Sequence, residues 1–256
     1  MFDIFENIDF LYLSIIFLAG LISFSISTIS GGGGALMLIP FLNFIVGTTK
    51  TAPIINLGAL ISRPSRIIIF WKNIVWKVFW YYVPAAMLGA VIAAYFFSSF
   101  KIAWLQIIVA LFLISTFFQY RFGKKERSFP VRLWYFIPLG FIVSIVGTFT
   151  GGMGPVLNPF YLNAGITKEE LVGTKAANSF FLGIAQISSY TFFGLLTTEL
   201  WIYGITLGIG ATFGNLIGKK LLSKMKNSTF RKLVILIMVI SGVLLLIKAV
   251  SSLSYF

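Results

Sequence analysis

Two glycine runs, each breaking a long apolar stretch, constrain this chain more than any other feature. Ser30-Gly31-Gly32-Gly33-Gly34 interrupts one stretch, and Thr150-Gly151-Gly152-Met153-Gly154 interrupts another about 120 residues later. Glycine costs roughly 1 kcal/mol per residue in a helix interior, so four in succession end a helix instead of extending it. Each run leads into a short apolar segment, a polar turn and an apolar helix with an asparagine near its start. That asparagine is Asn56 in one half and Asn178 in the other. Broken helices at matching places of two halves are a pointer to the binding site of a transporter.

The surroundings of these runs are those of a bilayer. Of 256 residues, 58% are hydrophobic and 11% charged, whereas a soluble domain is about a quarter charged. The expected fold is therefore an all-α polytopic membrane protein. Trp71, Trp76, Trp80, Trp104, Trp134 and Trp201 suit the headgroup level. The first apolar run lacks a basic leader and runs straight into the glycines, so it reads as structure and not as a cleaved signal peptide. A net charge of +13 would suggest nucleic acid in a soluble protein. Here the positive residues fall mostly in short loops and read as a topology signal, so no nucleic-acid partner is expected. The chain has no cysteine and no histidine. Thiol chemistry, disulfides and imidazole ligands are therefore excluded, and neither a metal nor a cofactor is expected.

The segments fall into two sets of five in the same order. The first repeat, residues 1–120, holds a hairpin at 10–46 and helices at 51–70, 78–97 and 102–118. A basic linker at 121–132 separates it from the second repeat, residues 133–256, with a hairpin at 133–163 and helices at 171–190, 203–222 and 233–250. In each set the second segment is too short to cross a core about 30 Å thick at 1.5 Å per residue. Segments one and two therefore read as a broken-helix hairpin with the glycines at its tip. Trp76 and Trp201 precede the fourth helices, where small residues recur every fourth position: Ala85, Gly89, Ala93 and Gly210, Gly214, Gly218. That spacing gives one helix face onto which another backbone can pack closely.

Loop charge sets the orientation. The linker carries Arg121, Lys124, Lys125, Arg127 and Arg132, and the 219–232 region carries Lys219, Lys220, Lys224, Lys226, Arg231 and Lys232. Both are expected in the cytoplasm. Counting crossings then places the N-terminus, with Asp3, Glu6 and Asp9, outside, together with the C-terminus and the Glu199 loop. Each half crosses an odd number of times, so the repeats are inverted.

Several residues are candidates to hold a substrate. Helices starting after Gly34 and Gly154 would aim unpaired N–H groups inward, where they suit an anion. Ser30 and Thr150 add hydroxyls there, although the glycines also permit tight packing alone. Asn56 and Asn178 would lie beside the glycine tips, either capping a half-helix or touching substrate. Lys175 lies three residues before Asn178 on the same face. Arg63 and Arg66 flank Pro64, and Arg63 lies about 18 Å along its helix from Thr51. Each of these three cations is either a substrate ligand or a side chain snorkelling to the interface. Gln186 is a weaker candidate, as is Arg66. No acid lies mid-helix, no serine–histidine set exists, and no phosphate-loop motif occurs, so enzymatic chemistry is not expected.

Gly31-Gly32-Gly33-Gly34 with Pro40, Lys50-Thr51-Ala52 and Lys72-Asn73-Ile74-Val75-Trp76 resemble the TauE/SafE sulfite-exporter family. Thr150-Gly151-Gly152-Met153-Gly154 with Pro159, and Gly173-Thr174-Lys175-Ala176, are similar to its second repeat, with Met153 where glycine is usual. The resemblance covers about residues 12–248. It implies an inner-membrane permease for a small organosulfur anion such as sulfite, sulfoacetate or another sulfonate, often exported. Its partners would be that anion, the lipid bilayer and, at most, a second copy in a homodimer. An anion channel and a membrane scaffolding or assembly subunit are the rival readings.

Overall fold

A computed structural model describes residues 10–96, 103–120, 127–150, 154–192, 194 and 196–253. All regular structure among them is helical. The first half holds α1 (Phe10–Ile29), α2 (Gly34–Val46), α3 (Thr48–Ile69), α4 (Trp76–Phe96) and α5 (Ala103–Gln119). The second holds α6 (Phe136–Thr150), α7 (Asn158–Asn163), α8 (Lys168–Phe192), α9 (Thr198–Lys224) and α10 (Asn227–Leu253). Three helical stretches, Phe10–Ile29, Thr198–Lys224 and Asn227–Leu244, are long and apolar enough to cross a membrane.

α1 stops where the glycines begin. Gly31, Gly32 and Gly33 have φ of 68°, 141° and 91°, a sequence of dihedrals that side chains with a Cβ rarely adopt. α2 then packs back on α1: a Cβ on Gly34 would lie 2.8 Å from Ser27 Cβ and 2.9 Å from the Ser23 carbonyl. In the second half Gly151, Gly152 and Met153 lie outside the described residues, and Gly154–Leu157 form a 3-10 turn ahead of the six-residue α7.

Helices α8, α9 and α10 begin three to six residues before the apolar segments expected at 171, 203 and 233. The apolar run marks only the part that suits lipid, whereas the helix continues until its first N–H groups find a cap. Thr197 supplies one for α9, its side chain accepting from the Leu200 N–H at 3.4 Å.

Packing is reciprocal between the halves. α1 lies against α9 and α4 against α6, α5 meets α10, and α3 meets α8. The small-residue faces make the first two contacts. A Cβ on Gly20 would sit 2.6 Å from the Leu207 carbonyl, and one on Gly140 would sit 2.5 Å from the Tyr82 carbonyl. Gly214 likewise packs on the Leu21 carbonyl and Gly89 on that of Phe141. These are matching positions: Tyr82 and Gly89 are offset from Leu207 and Gly214 by one constant, Gly20 and Leu21 from Gly140 and Phe141 by another. Contact order also fixes direction. Phe17, Leu21 and Thr28 meet Gly210, Gly214 and Gly218 in turn, so α1 and α9 run parallel. Asn56, Arg63 and Phe70 meet Tyr190, Gly183 and Gly173, so α3 and α8 run antiparallel.

Two hydrophobic cores result. One gathers Ile16, Leu38, Leu42, Ile54 and Leu207 from α1, α2, α3 and α9. The other gathers Val78, Tyr82, Phe136, Tyr161 and Leu171 from α4, α6, α7 and α8, with residues of α5 and α10 added. The antiparallel α3–α8 contact joins them, and Asn56, Arg63, Lys175 and Asn178 lie along these two helices.

Candidate functional site

α8 places Lys175, Asn178, Gln186 and Tyr190 at spacings of three, eight and four, which keeps them on one broad helix face. α3 runs down that face in the opposite sense and brings Asn56, Arg63 and Arg66 to it. The three cations are half-buried, although α3 and α8 are interior partners.

Lys175 crosses to the first glycine turn. Its ammonium donates to the Gly31 carbonyl at 2.5 Å and to Asn158 Oδ1 at 2.6 Å. A Cβ on Gly32 would fall 2.9 Å from Lys175 Nζ, so the absence of a side chain there lets the lysine reach the backbone. Ser30 serves the turn itself: its hydroxyl lies 2.7 Å from the Ile26 carbonyl and 2.9 Å from that of Gly32. Gly33 packs on Ile237 and Gly34 on Ser27, close approaches that a Cβ would block.

Asn158, at the start of α7, turns its oxygen to Lys175 and leaves its buried Nδ2 without a partner. One turn beyond Lys175, Asn178 Nδ2 donates to the Tyr161 hydroxyl at 2.8 Å, and its buried Oδ1 is unpartnered. Arg63 sits about 12 Å further along α8 than Lys175, over Gly183, with its buried Nη1 also lacking an acceptor. Buried polar groups are nearly always satisfied, so these three atoms, on α3, α7 and α8, stand out.

Arg66 is spoken for. Its Nε donates to Asn215 Oδ1 at 2.7 Å, its Nη2 to the Phe24 carbonyl at 3.2 Å, and its guanidinium carbon lies 5.3 Å from the Phe24 ring centroid. Asn215 in turn donates to the Ser62 carbonyl at 3.1 Å and to Ser65 Oγ at 2.9 Å. This network ties α1, α3 and α9 together. Among the described residues none of the three cations has a carboxylate partner. The ion pair is Lys50 with Glu199, 2.9 Å apart at the opposite end of α3.

The expected site residues therefore divide. Lys175, Asn178, Arg63 and the Gly31–Gly34 turn share the α3–α8 region. Asn56 does not lie at a glycine tip: its Nδ2 donates to the Tyr190 hydroxyl at 3.1 Å, where Gln186 Nε2 also arrives at 3.3 Å. The reason is the antiparallel run of α3, which carries Asn56 about 10 Å beyond Arg63, away from the glycines. Thr150 ends α6 and Gly154 starts the following 3-10 turn, while Gly151, Gly152 and Met153 lie outside the described residues.

Comparison with known proteins adds a family to this geometry. The family model described as sulfite exporter TauE/SafE matches residues 16–245, most of the chain. This chain belongs to the TauE/SafE sulfite exporter family. It is thus a multi-pass membrane transporter and not an enzyme. It is also similar to the probable membrane transporter protein YunE of Bacillus subtilis (strain 168), 21% identical over 271 residues that span 93% of this chain and 98% of that protein. No solved structure matches it. Within this TauE/SafE chain the sequence reading missed Asn158, Tyr161, Tyr190 and Asn215. Asn158 alone carried a signal, its place four residues after the second glycine run. Asn215 follows Gly214, the glycine that brings α9 onto α1, and nothing in its neighbours announces an arginine partner.

Proposed function

We propose that this protein is a secondary transporter that exports a small organosulfur anion, such as sulfite, sulfoacetate or another sulfonate, across the inner membrane. One observation carries the reading. Arg63, Arg66 and Lys175 lie inside the bundle with no carboxylate among the described residues to balance them, beside the unpartnered donors Arg63 Nη1 and Asn158 Nδ2. Uncompensated buried charge is costly, so a site of this kind is complementary to an anion. Planar guanidinium and amide donors suit the oxygens of a sulfite or sulfonate group. The printed family description, sulfite exporter, supports the same class.

The binding residues we assign are Arg63, Lys175, Asn158 and Asn178, with the Gly31–Gly34 turn beside them. The architecture we assign is a pair of inverted repeats, each a broken-helix hairpin and three crossings, with both termini outside. Its support is the exchange of helix partners between halves, together with the parallel α1–α9 and antiparallel α3–α8 directions that inversion demands. The basic side chains Lys72, Lys168, Lys224 and Lys226 then lie at the cytoplasmic end and the Lys50–Glu199 pair at the other.

Purified protein in liposomes tests the reading. Sulfite, sulfoacetate or ethanesulfonate should enter and show counterflow, which a channel does not give. Arg63→Lys keeps the charge and should retain most transport, whereas Arg63→Gln should raise KM about tenfold, a loss of roughly 1.4 kcal/mol. Absence of transport of all three anions would sink the function. A scaffolding role would leave transport-free protein whose glycine turns tolerate bulky residues.

A further inference from the structure

We infer that this carrier is an obligate anion exchanger: it crosses between its two open states with an anion bound and hardly at all without one. The inference rests on the transport reading above and adds the source of coupling.

The two cations of the site, Arg63 and Lys175, and Arg66 one turn from Arg63, have only neutral groups as the partners seen for them. Lys175 leans on the Gly31 carbonyl and Asn158 Oδ1, and Arg66 on Asn215 Oδ1 and the Phe24 carbonyl. Arg63 Nη1 has no acceptor. Carbonyl and amide dipoles orient a cation without cancelling its charge, and a guanidinium does not give up its proton, so Arg63 and Arg66 keep the site positive whatever its state. While it faces water on either side, solvent and mobile counterions screen them. Between the two open states both sides are closed, and that screening is lost. Only a bound anion then offsets the charge.

Some carriers avoid this difficulty by swinging an acidic side chain into the empty site, or by moving a proton onto a carboxylate. Among the described residues neither device is at hand. The described carboxylates are Glu169, Glu170 and Glu199. Glu199 is paired with Lys50 at the far end of α3. Glu169 and Glu170 lie in the first turn of α8, about 8 Å before Lys175 along a helix that cannot bend back on itself. The empty protein therefore meets a higher barrier to reorientation than the loaded one. Release of one anion commits the site to wait for another, and the direction of net transport follows whichever anion gradient is steeper.

Liposomes holding purified protein, clamped at zero potential with equal potassium and valinomycin, separate this from ordinary uniport. Labelled sulfite should enter vesicles preloaded with sulfite or sulfoacetate at least about tenfold faster than vesicles loaded with an inert polyanion. Arg63→Gln removes one uncompensated charge and should narrow that ratio, even if its overall rate falls. Lys175→Gln should do the same should the first variant fail to reach the membrane. A structural role for either residue would lower both rates together and leave the ratio unchanged. Equal entry into both kinds of vesicle, with transport intact, overturns exchange alone. No entry of sulfite or sulfoacetate into either kind overturns the transport reading and exchange with it.

Discussion

Asn215 shows how a single neutral side chain can hold a charge in the interior. It accepts from Arg66 Nε, donates to the Ser62 carbonyl and Ser65, and is fully buried. Asn215→Leu fills a similar volume but leaves Arg66 Nε without its acceptor and removes the donor to the Ser62 carbonyl and Ser65 Oγ. A hydrogen bond to a charged group contributes about 1.5–3 kcal/mol, so the variant should unfold at a clearly lower temperature in detergent. Asn178→Leu loses one neutral bond to Tyr161 and should fall by less, a ranking that thermal unfolding of the two proteins checks. At this scale the sequence was half legible. Arg63 and Lys175 stand out because a charge inside an apolar run costs too much to be incidental. Asn215, Asn158 and Tyr190 do not, because a polar residue on a long helix announces neither its partner nor the face it occupies. Asn56 and Asn178 looked like a matched pair, yet the antiparallel crossing of α3 and α8 sends them to different tyrosines.

Between helices, glycine marks two kinds of contact that a Cβ would treat differently. Gly214 lies on the Leu21 carbonyl, so a methyl there meets rigid backbone from α1. Gly183 lies under the far end of the Arg63 side chain, which can swing away. Gly214→Ala should thus destabilise the protein by about 1–3 kcal/mol through overpacking. Gly183→Ala should keep or improve stability, because alanine is the better helix former by roughly 1 kcal/mol. Its cost should appear in transport instead, as a weaker apparent affinity from a displaced guanidinium. Thermal midpoints and uptake kinetics of the two variants read this out; a destabilised Gly183→Ala with normal affinity would contradict the placement of Arg63. The every-fourth spacing of Gly210, Gly214 and Gly218 was legible because period alone puts small residues on one face. The partner was not: spacing says that some backbone comes close, and only the fold says that it is α1 for these and α6 for Gly89. The lengths of α8, α9 and α10 were underestimated for a related reason, since hydropathy sees the lipid-compatible part of a helix and not its capped ends.

For the molecule as a whole, the two hydrophobic cores meet along α3 and α8, and Arg63 and Lys175 lie in that seam. Rocking one core against the other would open the seam at either end with both still packed. In the inverted arrangement the starts of α3 and α8 face opposite compartments. The chain has no cysteine of its own, so Lys50→Cys and Lys168→Cys can be labelled one at a time with an impermeant reagent. Lys50→Cys should react from outside, at the loss of a half-exposed ion pair that contributes about 1 kcal/mol at most, and Lys168→Cys from inside. Reaction of both from one side would rule out inversion. Motif order suggests a duplication and loop charge suggests an orientation, but neither could reveal which helices pair. The pairing carries a historical implication. Each half leaves the glycine face of its first helix to be covered by the fourth helix of the other. A half-length polypeptide could therefore bury those faces by meeting a second copy of itself. In the proposed inverted arrangement that copy would sit upside down, so a half-length ancestor would have had to thread the bilayer in both senses, with fusion later fixing one sense for each half.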